Sequence, residues 1–217
     1  NPGATNVLRS GSKVAAVLTL LLDALKGLIP VLVVKTWGPQ WGLGDGALAL
    51  VALGAFVGHL FPVFFGFKGG KGVATALGVL LGISGWLGLI VLGIWLVVAF
   101  VSRYSSMAAL LASLGAPVAY LILDGSLWSV ETPLLVAIMV MAALLVWRHR
   151  ENIGRLIRGE ESQIGGGKKE KQPVKPALTI RKTKPKAAPK NAAQVMAEMG
   201  AKAERKPRSS KKNKHKK

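Results

Sequence analysis

Six apolar segments separated by short polar loops constrain the fold of this chain more than any other feature. Only the first two approach the roughly 20 residues that a helix needs to cross a bilayer. Because lipid offers no partner for a backbone amide, such segments fold as helices. The sequence therefore predicts an all-α, polytopic membrane protein. The six segments are 14–34, 47–65, 73–84, 86–101, 107–123 and 133–147.

The stretch 73–101 has two interpretations, one long tilted helix or two shorter helices broken near Gly82, Ser84 and Gly85. Two helices would leave one side of the membrane with only Lys35, Asp45, Asp124 and Glu131 as charged residues. The other side would then carry an excess of Lys and Arg, which is typical of the cytoplasmic face. We therefore predict two helices here and a cytoplasmic basic side. That side holds Arg9, Lys13, Lys68, Lys71, Arg103, Arg148, Arg150, Arg155 and Arg158.

Charge divides the chain into two parts. Residues 162–217 contain 18 Lys and Arg and 3 Glu, a charge of +15, which leaves +4 of the total +19 for residues 1–161. We predict a membrane-embedded domain over 1–161 and a disordered, low-complexity cytoplasmic tail over 162–217. The tail has no aromatic residue, so we expect it to contact anionic lipid. Contact with RNA stays open as an alternative.

Residues 58–75 read GHLFPVFFGFKGGKGVAT and join two apolar segments with a glycine-rich, basic loop. Glycines allow tight bends that turn backbone N–H groups toward an anion, and lysines add positive charge. The spacing is one residue too short for a nucleotide P-loop, and Gly72 stands where that motif needs a hydroxyl. We predict phosphate binding without nucleotide hydrolysis. The residues concerned are Lys68, Gly69, Gly70, Lys71 and Gly72.

Two further polar motifs could complete an anion site on the same side of the membrane. NPGATNVLR opens the chain, and its polar groups are those of Asn1, Thr5, Asn6 and Arg9. RYSS follows the fourth segment and offers Arg103, Ser105 and Ser106. These residues could donate hydrogen bonds to a phosphate. Each motif also has a purely structural interpretation, as a polar turn and as an arginine at the interface followed by a helix cap.

The motif WRHRENIGRLIRGEE follows the last apolar segment. On a helix, His149, Asn152 and Arg155 share one face because they are spaced three residues apart. A neutral imidazole can accept a proton while the amide and the guanidinium orient a polar substrate. Inside the first segment, Asp23 and Lys26 have the same spacing and can pair, either structurally or as part of a site.

These motifs, in this order, resemble the bacterial acyl-phosphate:glycerol-3-phosphate acyltransferase family known as PlsY. The similarity runs from residue 1 to about residue 161 and also includes LTLLLDALKGLIPV in the first segment. It implies a seven-helix inner-membrane enzyme that moves a fatty acyl group from acyl phosphate to glycerol 3-phosphate. The products would be lysophosphatidic acid and phosphate, formed at the cytoplasmic side. Family members have another helix and a serine-containing loop before the motif with which this sequence begins, so we expect one helix to be missing here.

An acyl phosphate is already activated, so the hydroxyl of glycerol 3-phosphate can attack it without a covalent enzyme intermediate. We expect the glycine–lysine loop to hold phosphate, with Arg9, Arg103, Ser105 and Ser106 completing the pocket. His149 and Asn152 would be the catalytic residues that position the attacking hydroxyl. Either His149 or the departing phosphate would take the proton. Supporting residues would be Asp23, Lys26, His59, Arg155 and Glu161.

Other chemistries find less support in the sequence. Neither His59 nor His149 begins the H-x-x-x-x-D motif of acyltransferases that use thioester donors. No pattern of metal ligands is present, and we predict no metal and no cofactor. The alternative from another class is a transporter for an anionic solute, which would need accessible polar groups on both faces.

Overall fold

The computed structural model describes Val7, residues 11–165 and Met196. Seven α-helices run through residues 11–165, and the described residues contain no strand beyond an isolated bridge between Asp124 and Trp128. The predicted all-α fold is confirmed. The helices are α1 Lys13–Trp37, α2 Asp45–Leu60, α3 Val73–Ile83, α4 Gly85–Ser102, α5 Ser105–Ile122, α6 Thr132–Arg148 and α7 Arg150–Ile157. Short 3₁₀ turns follow α1 at Gly38–Trp41 and α2 at Val63–Phe65.

The ambiguous stretch 73–101 forms two helices, as the charge pattern predicts. α3 ends at Ile83, and Ser84 has an extended backbone with φ −148°. The Ser84 hydroxyl accepts a hydrogen bond from the Leu87 amide, so this residue caps the start of α4. Six helices therefore correspond to the six apolar segments. The seventh, α7, follows a bend of 56° after α6.

Four stretches are long and apolar enough to cross a membrane: 13–41, 45–65, 85–102 and 105–122. The bent pair of α6 and α7 is a fifth candidate. α3 has 11 residues and is about 16 Å long, well short of the roughly 30 Å hydrocarbon core. Large apolar side chains are exposed along these helices, such as Leu22, Phe100 and Ile122. This is the surface of an integral membrane protein.

Glycines bring α1 and α3 into close contact. A methyl group at Gly78 would collide with the Ala24 carbonyl of α1, and one at Gly27 would collide with the Thr75 carbonyl of α3. Small residues permit this approach of two backbones in a membrane protein. Lys35, near the end of α1, donates to the Ile83 carbonyl at 2.6 Å. α1 and α3 therefore run parallel, with Thr75 in the first turn of α3 beside Gly27 in the middle of α1.

The polar motifs gather at the end of the molecule where α3 begins. Lys71 before α3 contacts Asn152 of α7, and the Ile164 amide donates to the Arg103 carbonyl at 2.7 Å. At the opposite end, the Trp128 indole donates to the carbonyl of Tyr120 at 2.8 Å. The predicted tail lies outside the described residues from residue 166 onward, apart from Met196. Its boundary at 162 stays a prediction.

Candidate active site

A cavity of about 980 Å³ lies among α1, α3, α4, α5 and α6 and reaches the end that holds the polar motifs. Its polar lining includes Lys71, Ser105, Ser106, Arg148, His149, Asn152, Arg155 and Glu161. An apolar part of the cavity continues along the helices past Leu80, Trp95, Ala112 and Ile138. A second cavity of about 440 Å³ lies at the opposite end, and no predicted site residue lines it. The larger cavity is the candidate site.

The glycine–lysine loop needs its glycines because it packs against backbone. A methyl group at Gly69 would collide with the carbonyls of His59 and Leu60, and the Gly69 amide donates to Leu60 at 3.2 Å. Gly72 has φ 84° and begins α3 without any side-chain cap. Gly72, Val73 and Ala74 line the cavity. The positive end of the α3 dipole is thus available to an anion there.

Arg148 at the end of α6 holds this loop. Its Nη2 donates to the carbonyls of Gly69 at 2.7 Å and Gly70 at 2.8 Å, and its Nε donates to Gly70 at 3.2 Å. The guanidinium also lies 5.8 Å from the Phe61 ring centroid and 6.0 Å from that of Trp147. In the sequence, Arg148 contributes to the basic side of the membrane and to the motif after the last apolar segment, and neither predicts a loop contact. Nothing in the spacing of residues so far apart predicts this contact.

Lys71, Asn152, Glu161 and Arg155 form a continuous chain of hydrogen bonds. Lys71 Nζ donates to Asn152 Oδ1, and Asn152 Nδ2 donates to Glu161 Oε1, both at 2.7 Å. Arg155 Nε donates to Glu161 Oε2 at 2.7 Å. Asn152 is 4% exposed. Because a carboxylate accepts only, Glu161 fixes the Asn152 amide with its oxygen toward Lys71.

Glu161 is held in its ionised form. Partial burial raises the pKa of its carboxyl, but hydrogen bonds from Asn152 and Arg155 outweigh that effect, so the net pKa is lowered. The Ser106 hydroxyl also lies close enough to contribute to this lowering. That hydroxyl is buried and makes no hydrogen bond of regular geometry within residues 11–165. Since it lines the cavity, it can serve as a donor or acceptor for a ligand.

His149 lies at the bend between α6 and α7 and is only 2% exposed. Its Nδ1 is 2.8 Å from the Leu145 carbonyl. A carbonyl cannot donate, so Nδ1 carries the hydrogen, and in the neutral ring Nε2 is left as the acceptor. His149 lines the same cavity as Lys71 and Asn152. Its side chain is therefore part of the wall of the candidate site.

Asp23 lies in α1 and forms the predicted pair with Lys26, 2.6 Å between Nζ and Oδ1. His59, in the last turn of α2, has Nδ1 at 3.5 Å from the same Asp23 oxygen. Asp23 and His59 line the cavity beside its apolar part. An ionisable residue inside a membrane helix normally has such partners.

The family model described as Glycerol-3-phosphate acyltransferase matches residues 1–159 of this chain. The glycerol-3-phosphate acyltransferase of Albidiferax ferrireducens is 56% identical over 165 residues, covering 76% of this chain and 74% of the relative. That of Janthinobacterium sp. (strain Marseille) is 56% identical over 169 residues, covering 78% and 82%. This chain belongs to the PlsY family of glycerol-3-phosphate acyltransferases. It is an acyltransferase of phospholipid biosynthesis.

Solved structures of PlsY have the same fold. A crystal structure of this integral membrane glycerol 3-phosphate acyltransferase in its glycerol 3-phosphate form has a TM-score of 0.68 and 40% identity, covering 75% of this chain and 78% of that one. The lysophosphatidic acid form has a TM-score of 0.67 and 40% identity, covering 74% and 78%. The resemblance stated from the motifs is confirmed. Membership of an acyltransferase family favours the enzyme over the transporter that the sequence left as an alternative.

The structure brings together most, but not all, of the residues predicted for a PlsY site. The side chains of Lys68 and Arg103 are exposed and do not line the cavity. Lys68 follows Phe67, whose φ is 59°, and Arg103 itself has φ 61° at the end of α4, so both lie at sharp changes of chain direction. The predicted residues of the first motif, Asn1, Thr5, Asn6 and Arg9, lie outside the described residues.

Proposed function

We propose that this protein transfers a fatty acyl group from acyl phosphate to the 1-hydroxyl of glycerol 3-phosphate, releasing lysophosphatidic acid and inorganic phosphate. One observation carries the proposal: a single cavity joins an end lined by charged and amide side chains, with Lys71 and Asn152 among them, to a long apolar part. An acyl phosphate has the same two parts, a phosphate head and an apolar chain. The relatives named above support glycerol 3-phosphate as the acceptor.

The anionic groups of the substrates would lie at the polar end of the cavity. Lys71 supplies a full positive charge, and the uncapped start of α3 supplies oriented amides. Ser106 offers a buried hydroxyl with no regular hydrogen bond in the described chain. The apolar lining around Leu80 and Trp95 would take the acyl chain. Binding in this way holds the acyl carbonyl next to the acceptor hydroxyl.

Transfer requires one bond to form and one to break. The 1-hydroxyl oxygen of glycerol 3-phosphate attacks the acyl carbon, and the bond from that carbon to the phosphate oxygen breaks. The electron pair leaves with phosphate, which is a good leaving group because it is a weak base whose charge is spread over several oxygens. The hydroxyl proton goes either to His149 Nε2 or to the departing phosphate. Asn152, fixed by Glu161, positions the attacking group.

We also propose that the polar end faces the cytoplasm of a bacterium, in its inner membrane. The loops at this end carry Lys71, Arg148, Arg150 and Arg158, and basic loops are typical of the cytoplasmic side. The tail from residue 162 would then be cytoplasmic. Its charge of +15 favours contact with anionic lipid headgroups.

The donor is tested with purified protein, glycerol 3-phosphate and either palmitoyl phosphate or palmitoyl coenzyme A. We expect lysophosphatidic acid, detected by mass spectrometry, only with palmitoyl phosphate. Replacing His149 by Gln should lower kcat by about 100-fold or more if the imidazole is the proton acceptor. Product from the thioester and none from the acyl phosphate would refute the proposed donor.

A further inference from the structure

Arg148 makes several hydrogen bonds to the glycine–lysine loop. A basic residue that only lies at the membrane interface would not need them. It makes three hydrogen bonds to two successive carbonyls, those of Gly69 and Gly70. Its guanidinium packs near the rings of Phe61 and Trp147, which are themselves 6.2 Å apart between centroids. A guanidinium held on both an aromatic cluster and a backbone turn has little freedom to move.

These bonds determine which way the loop amides point. In a trans peptide the C=O and the following N–H point in opposite directions. With the carbonyls of Gly69 and Gly70 directed at Arg148, the N–H groups of Gly70 and Lys71 point away from it. Arg148 therefore selects the face of the loop that presents backbone donors. The same turn sets the position of Lys71, whose ammonium reaches Asn152 at 2.7 Å.

A lysine could not replace this arrangement. The planar guanidinium donates from two nitrogens in a fixed fork and stacks on aromatic rings, whereas an ammonium is a compact, strongly hydrated charge. Two other amides of the loop donate to preceding backbone carbonyls, Lys68 to Phe65 at 3.3 Å and Gly69 to Leu60 at 3.2 Å, and these longer, neutral bonds anchor it less firmly. The chemistry of the contact thus requires arginine at this position.

We propose that Arg148 is a positioning residue of the phosphate loop: it binds the carbonyls of Gly69 and Gly70 and so holds Lys71, which lines the cavity, where it meets the substrate phosphate. Arg148 acts on the substrate through the loop, because its Nε and Nη2 donate to the loop carbonyls. The inference rests on the proposed function, in which this loop holds phosphate. It adds Arg148 of α6 to the residues of the proposed site, with its guanidinium bound to carbonyls of the protein itself.

The test compares Arg148→Lys and Arg148→Ala with Lys71→Ala and with a matched control, Arg158→Lys. Arg158 is an exposed arginine of the same region whose side chain pairs only with Glu160 in the described structure. KM and kcat are measured for palmitoyl phosphate and for glycerol 3-phosphate, and hydrogen exchange is measured on peptides covering residues 66–73. Guanidinium ion is added to Arg148→Ala at low concentration as a chemical rescue.

We expect Arg148→Lys to raise KM for the same substrate that Lys71→Ala affects, by roughly tenfold to a hundredfold, with a smaller change in kcat. Exchange should rise at residues 66–73 and not in the helices away from the loop. Guanidinium should lower the raised KM of Arg148→Ala, and Arg158→Lys should match the unmodified protein.

Three results would overturn the proposal. If Lys71→Ala raises KM while Arg148→Lys changes neither KM nor loop exchange, the loop holds phosphate without help from Arg148. If neither variant changes KM for either substrate, the phosphate loop and hence the proposed function are wrong. A general rise in exchange throughout the helices of Arg148→Lys would show an ordinary role in folding.

Discussion

Lys68 and Lys71 belong to the same loop and have different environments. Lys71 lines the cavity and contacts Asn152 at 2.7 Å, while Lys68 is exposed and away from the cavity. The difference comes from the backbone turn at Phe67, with φ 59°, and from the packing of Gly69 on Leu60. A pattern of glycines and lysines predicts an anion loop but not which ammonium turns inward.

The first prediction uses this pair. Lys71→Ala should raise KM for a phosphorylated substrate by roughly tenfold or more, or abolish turnover, because a charge-assisted contact is lost. Lys68→Ala, the matched control within the same loop, should change KM by less than about threefold because exposed charges interact weakly with a site. Steady-state kinetics on both variants checks this. Equal effects would contradict the geometry of the loop.

Glu161 gives a prediction for the pH dependence of stability. Its folded-state pKa lies below the ordinary value of 4.5, because the hydrogen bonds from Asn152 and Arg155 outweigh the opposing effect of burial. A lowered pKa contributes stability above the ordinary value, and this is lost as pH falls through the folded pKa. Tm should therefore fall as pH drops below about 4.5.

Glu161→Gln removes the titrating group. We expect this variant to have a lower Tm than the unmodified protein at pH 7, and to lose less of its Tm on acidification. Thermal unfolding followed from neutral pH to about pH 3.5 measures both effects. An equally steep acid loss in both proteins would show that other carboxylates dominate and that the Asn152–Glu161 contact contributes little.

At the scale of helices, the contact of α1 with α3 determines the position of the start of α3, where the phosphate loop ends. α3 is too short to cross the membrane, so its position depends on packing against α1 through Gly27, Gly78 and Gly82. The two helices are parallel, which brings the start of α3 to the end of the molecule that holds the polar motifs. Close backbone contact replaces the hydrophobic driving force that lipid does not provide.

Gly78→Ala should destabilise this contact. The added methyl meets the Ala24 carbonyl, which belongs to a helix backbone and cannot move aside alone. Overpacking of this kind costs about 1–3 kcal/mol, which a lowered Tm in detergent would report. Gly93→Ala in α4 is the matched control, since nothing lies within 4 Å of its added methyl. An unchanged Tm in Gly78→Ala would contradict the close packing of α1 on α3.

The helix breaks differ in how far the sequence predicts them. The break at Ser84 follows from residues that disfavour a continuous helix and from the distribution of basic loops, so both local and global signals agree. The bend of 56° at His149 has no comparable signal, because RHRENIGRL also fits an uninterrupted helix end. Side-chain partners far apart in the chain, such as Arg148 and Gly69, depend on packing that no local pattern encodes.

For the whole molecule, the sequence predicts the class, the six helices of the apolar segments and the end at which the polar motifs meet, but not the separate helix α7. It does so because lipid restricts the backbone to helices and because basic loops alternate with nearly neutral ones. The chain of hydrogen bonds from Lys71 to Arg155 is different. It requires α7 to fold back over the loop before α3, and only the three-dimensional structure shows this contact.

The basic tail leads to a prediction about the complete chain in a membrane. We expect trypsin to cleave residues 168–217 more slowly in nanodiscs of anionic phosphatidylglycerol than in nanodiscs of zwitterionic phosphatidylcholine. Attraction to anionic headgroups is worth about 1 kcal/mol per basic residue and is screened by salt. The difference should therefore vanish at high ionic strength. Equal cleavage in both lipids at low salt would exclude the lipid contact and would leave RNA as the next partner to test.

In the proposed reaction, the acyl group passes directly from acyl phosphate to glycerol 3-phosphate within one cavity. Phosphate release from palmitoyl phosphate by the purified protein is therefore measured with and without glycerol 3-phosphate. We predict that release requires glycerol 3-phosphate and equals the lysophosphatidic acid formed, mole for mole. A burst of phosphate without glycerol 3-phosphate, stoichiometric with the enzyme, would reveal a covalent acyl-enzyme and contradict the account.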